Sequence, residues 1–181
     1  MSRAAIRRAI REAQRILEDF QPLKSSVPLK QIAMKYARLE GELLPTDISG
    51  MLIPLDPAVN EKPWVIVYNI RHVPQRQRFT IAHELGHLLL HNYKTAHADS
   101  GFKLRYRDAA SSTGEVIEEI EANAFAAELL MPAKLVLTEA NKIGFDFAMQ
   151  HDRDLSRLAR KFQVSKLALG IRLAQLIGTS H

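Results

Sequence analysis

Cysteine is absent from the 181 residues, which excludes disulfides, thiol catalysis, thiolate metal sites and iron–sulfur clusters. Glycine and proline are sparse, eight of each, so the chain is neither collagen-like nor low-complexity. It has no run of about 18 apolar residues, the minimum for a membrane span. The first twenty residues do not read as a signal peptide, because Arg3, Arg7, Arg8, Arg11 and Arg15 are scattered through them and no separate apolar stretch follows. These absences predict a soluble cytoplasmic protein. Neither sign of charge dominates: 25 Lys plus Arg against 20 Asp plus Glu leave a net +5, which permits an anionic partner without requiring nucleic acid.

What remains is ordinary globular material, 46% apolar and 25% charged, enough to bury one core. Ile6, Ile10, Ala13, Leu17 and Phe20 recur at helical spacing, so residues 1–22 predict a basic amphipathic helix. Arg3, Arg7, Arg11 and Arg15 form a second stripe on it, read as a solvated face. A second helix is predicted from Pro28, with Leu29, Ile32, Ala33, Tyr36 and Leu39 inward and Gly41 as its stop. The period then changes. Met51-Leu52-Ile53 and Trp64 to Tyr68 are β-prone runs separated by turn residues, and Leu43-Leu44 adds a weaker candidate, so a small sheet is expected. Helices follow at about 75–92, 115–130 and 133–141. Between the first two lies an aperiodic stretch, 93–114, with a short strand expected near Lys103 to Tyr106. Residues 150–178 read as helix–turn–helix, with Gln163-Val164 in the turn and Ser165 as a cap.

The chemistry-bearing motif is His83-Glu84-Leu85-Gly86-His87. Residues four apart on a helix share a face, about 6 Å apart along the axis, so both imidazoles can reach one ion. Glu84 is turned aside from the pair and is placed to serve a water instead. Zinc lowers the pKa of such a water to about 7, and a carboxylate beside it can act as general base and then acid. A catalytic zinc site usually has three protein ligands. His91 lies one turn past His87, but three ligands in a straight helical row cannot surround an ion, so His91 is read as a supporting or surface residue. The acidic helix offers the third ligand. Glu119 and Asn123 are four apart, with small Ala122 and Ala126 on the adjoining face. Glu119 could bind the ion while Asn123 orients a ligand histidine. Glu118 and Glu121 compete for the role, with Glu115 further off.

Arg78 to His87, followed by Glu119 to Pro132, resembles the ImmA/IrrE metallopeptidases, and Gly50 to Asn69 and the Val164-Ser165…Arg172-Leu173 tail also fit their pattern. The resemblance spans about residues 28–178. It implies one helix-rich α+β, zincin-like domain over 1–181, with a small β-sheet and a helical C-terminal portion like a helix–turn–helix. It implies His83, His87 and Glu119 as metal ligands, Glu84 as the catalytic residue and Asn123 as a supporting one. The implied cofactor is zinc, with manganese as the substitute. The implied activity is intracellular cleavage of a protein substrate, such as a DNA-binding helix–turn–helix repressor. The alternative is a metal-bearing binding module that displaces a partner without cutting it. Direct nucleic-acid contact is not expected of the tail, whose second helix is mostly apolar after Lys166. Tyr93, Tyr106 and His97 are the candidates for stabilising an oxyanion.

Overall fold

The computed structural model describes residues 3–21, 23, 26–91, 97–99, 113–146 and 151–178. Side chains at 97–99 and 113–115 are outside that description, as are Tyr93, Tyr106 and the strand expected near Lys103. Among the described residues, seven helices and four strands run in the order α1 (Arg3–Glu18), α2 (Leu29–Tyr36), β1 (Arg38–Glu42), β2 (Gly50–Pro54), β3 (Trp64–Asn69), α3 (Pro74–Leu90), β4 (His97–Asp99), α4 (Thr113–Leu130), α5 (Ala133–Lys142), α6 (Asp152–Phe162) and α7 (Lys166–Gly178). The architecture is helix-rich α+β, as expected. Among the described residues no helix is long and apolar enough to cross a membrane.

The sheet has the order β1-β3-β2-β4. β3 is central, parallel to β1 and antiparallel to β2, with Leu52 opposite Ile66 and Leu39 opposite Ile66 from the other side. β4 pairs antiparallel with β2 at the far edge. Two expectations are corrected here. The second helix stops at Tyr36, and Leu39 and Gly41 belong to β1; Ala37 is already extended and its N–H closes the helix on the Ala33 carbonyl. The strand before β2 is therefore Arg38–Glu42, not Leu43-Leu44. Buried Asn69 explains why pairing ends there: its amide donates to the carbonyls of Leu44, Pro45 and Ile48 at 3.2, 3.0 and 2.8 Å, folding that segment into a loop.

α3 lies against the sheet and packs most extensively on α4. It is entered at Pro74, whose missing N–H costs nothing at a helix start. Gly86 explains the closeness of the two helices: a Cβ there would sit 3.0 Å from Phe125 Cδ1 and 3.2 Å from Ala122 Cα. α1 packs across α4 with Ala9, Ala13, Ile16 and Leu17 buried; Ala13 and Leu17 belong to the predicted stripe, whose Ile6, Ile10 and Phe20 are half-buried. Arg3, Arg7, Arg11 and Arg15 are exposed, the solvated face anticipated.

The C-terminal pair closes the core with Leu158, Phe162, Leu169 and Leu173. Gln163 makes the turn in the left-handed region at φ 57°, and Ser165 Oγ accepts from Ala168 N–H at 3.1 Å, capping α7. Buried Arg172 turns inward, donating to the Met131 carbonyl at 3.1 Å and pairing with buried Glu128 on α4. On α5, buried Glu139 pairs with Lys142 and with Lys161 of α6. The two ammonium groups hold its carboxyl below the usual carboxylate range.

Candidate metal centre

α3 contributes His83, Glu84 and His87, all buried within the seam between the sheet and α4. The two imidazoles meet edge to face, their Nε2 atoms 3.0 Å apart. Glu119, on α4, reaches them from across the seam. Its Oε2 lies 3.4 Å from His83 Nε2 and its Oε1 3.2 Å from His87 Nε2. One ligand atom from each of the three residues lies within 4.8 Å of the others, and among the described residues this is the group able to hold a metal ion. The Glu119 side chain is 43% exposed while both rings are enclosed, so the cluster opens toward solvent on the α4 side.

The donor chemistry suits a divalent cation. Asn123 Oδ1 lies 3.2 Å from His83 Nδ1. An amide oxygen only accepts, so in the neutral ring the proton sits on Nδ1 and Nε2 presents its lone pair to His87 and Glu119. A nitrogen lone pair, a second ring nitrogen and a carboxylate converging on one point repel one another unless a cation lies among them.

Glu84 is fully buried one residue beyond His83, where α3 abuts the start of β2. Gly50 makes that approach possible: a Cβ there would stand 2.4 Å from Thr80 Cγ2 and 3.5 Å from Glu84 Oε1. The bareness of one glycine thus leaves room for Thr80 of α3 against the sheet, one turn before Glu84.

The competing acids separate. Glu121 does not face the histidine pair. It is buried on another side of α4, where Arg8 of α1 grips it twice, Nε to Oε1 at 2.9 Å and Nη2 to Oε2 at 2.7 Å. Glu121 Oε2 also lies 3.1 Å from His91 Nε2, and His91 Nδ1 is 3.1 Å from His87 Nδ1. His91 thus stands between the His87 ring and the Glu121 carboxylate. Glu118 is not part of the three-residue cluster, and the Glu115 side chain lies outside the described residues. His97 sits on β4 with its side chain undescribed. Sequence reasoning missed Arg8. No local signal set it apart, since Arg8 lies seven positions from Arg15 and shares its side of the helix.

The profile of a peptidase family, described as the IrrE N-terminal-like domain, matches residues 41–174. A relative from Deinococcus deserti, named radiation response metalloprotease IrrE, is 34% identical over 120 residues, covering 66% of this chain and 39% of the relative. The shared part is thus less than half of that relative's own length. The family match contains α3 and α4 with all the residues of the cluster; α1, and Arg8 with it, lies ahead of it.

Proposed function

The chain belongs to the peptidase family of IrrE N-terminal-like domains, and from that premise we propose that it is a cytoplasmic zinc-dependent endopeptidase cutting a protein substrate, a helix–turn–helix transcriptional repressor. The observation that carries the reading is the convergence of His83, His87 and Glu119 from two helices on one point. These three residues hold the metal. Two imidazoles and one carboxylate suit zinc, and manganese would be a substitute. When bound, such an ion acidifies a water and polarises a carbonyl.

The remaining work falls to the chain itself. Glu84, buried beside His83, takes a proton from the attacking water and returns it to the departing amine nitrogen. Asn123 fixes the ring of His83 through Nδ1. The exposed flank of Glu119 is the side from which an extended peptide segment reaches the cluster.

The test is metal analysis of the purified protein, followed by incubation with purified helix–turn–helix repressors from the same organism. We expect near-stoichiometric zinc and discrete cleavage products from the wild type. Glu84→Gln should lower the cleavage rate by about 10²–10⁴-fold while metal content stays unchanged. If Glu84→Gln relieves repression as fully as the wild type, the protein acts by binding alone and the peptidase reading fails.

A further inference from the structure

We propose that His91, Glu121 and Arg8 form a positioning relay that sets the ring tautomer of His87 and so its readiness to bind metal. The inference rests on the metal-centre reading above and adds residues that reading does not use. A carboxylate accepts and never donates, so Glu121 Oε2, 3.1 Å from His91 Nε2, requires the proton of a neutral His91 to sit on Nε2. His91 Nδ1 then presents a lone pair, and His87 Nδ1, 3.1 Å away, must be the donor. With its proton committed to Nδ1, His87 offers the lone pair of Nε2 toward His83 and Glu119. Asn123 does for His83 in one step what His91 and Glu121 do for His87 in two.

Arg8 completes the device. Glu121 is buried, with its side chain 4% exposed, and a buried carboxylate holds its charge only beside a partner. The guanidinium supplies that partner in two-point geometry, which also fixes the rotation of the carboxyl group. Its Nη2 also donates to the Leu90 carbonyl at 3.3 Å, at the end of α3, where a cation meets the negative pole of the helix. One side chain of α1 thereby ties the end of the histidine helix to α4. The N-terminal helix, ahead of the family match, is in this way part of the metal centre.

The test uses the full chain. Wild type, His91→Phe, His91→Gln, Glu121→Gln and Arg8→Met are compared for zinc and cobalt affinity by competition with a chromophoric chelator, each first checked for folding by circular dichroism. Ring tautomers of the metal-free wild type are read by long-range proton–nitrogen NMR correlation. His91→Phe should weaken metal binding by about 10–100-fold. His91→Gln, whose amide oxygen can accept from His87 Nδ1–H, should recover most of that loss. Glu121→Gln and Arg8→Met should follow with smaller losses, in that order. The metal-free wild type should show His87 protonated on Nδ1. A folded His91→Phe variant binding within twofold of the wild type overturns the relay, as does His87 protonated on Nε2. Should His91→Phe fail to fold, the tautomer spectrum decides alone. A wild type that takes up no divalent cation overturns the metal reading itself, and the relay with it.

Discussion

Glu119 and Glu128 are the same residue type on the same helix, and they meet opposite fates. Glu128 is buried against Arg172, with Gln14 Nε2 donating to its other oxygen at 3.0 Å. Its charge is balanced by a guanidinium supplied by the fold. Glu119, partly open to solvent, faces two imidazoles instead. A carboxylate matched to a permanent cation is a joint; one matched to ring nitrogen lone pairs is a socket. The C-terminal half of α4 therefore fastens α1 and α7 to the core through Glu128, and in its N-terminal half Glu119 faces the histidine rings of α3.

That contrast can be broken at either end. The largest effect is expected at the socket. Glu119→Gln should cost metal affinity beyond the roughly 100-fold ceiling typical of supporting residues, while the metal-free protein melts near the wild-type temperature. Chelator competition and a thermal scan check both halves of that statement. At the joint the pattern inverts. Arg172→Met leaves Glu128 charged and buried, and should destabilise the fold by about 3–5 kcal/mol in denaturant titration, with metal affinity per folded molecule unchanged. The double variant Glu128→Met/Arg172→Leu should recover most of that stability, since an apolar pair can replace a buried ion pair.

Gly86 lies between the two halves and should blur them. Gly86→Ala drives a methyl into Phe125 and the Ala122 backbone, so it should cost about 1–3 kcal/mol and weaken metal binding together. The smallest effect concerns a second joint, Glu139 with Lys142 and Lys161. Its folded-state pKa lies below the ordinary value of 4.5. The stability it contributes is therefore present above that value and lost as pH falls through the depressed folded one. Glu139→Gln should lower the melting temperature at pH 7, and the gap from wild type should close as the pH drops below about 4. A gap that widens in acid would contradict the assignment.

Legibility followed sequence distance. His83 and His87 were legible as a pair because spacing of four on a helix fixes a shared face, as it does for Glu119 and Asn123, but the choice of Glu119 over Glu118 and Glu121 came from the family resemblance. The turn at Gln163-Val164 and the cap at Ser165 were equally local. Leu39 was misassigned because 29, 32, 33, 36 and 39 continue a helical period without a break. What overrides the period is pairing with Ile66, which no local pattern reveals. Arg8 was invisible as a partner for the same reason, since Glu121 is 113 residues away. β4 was not expected at all; its three residues gain their structure from β2.

The three imidazoles at 83, 87 and 91 stand in a row because each is four positions from the next, a little more than one helical turn. Adding or deleting a single residue anywhere between them would swing every ring beyond that point by about 100°. This stretch of α3 can thus absorb an exchange of side chain more readily than a change in count. Chain length, as much as composition, is what this span has to preserve.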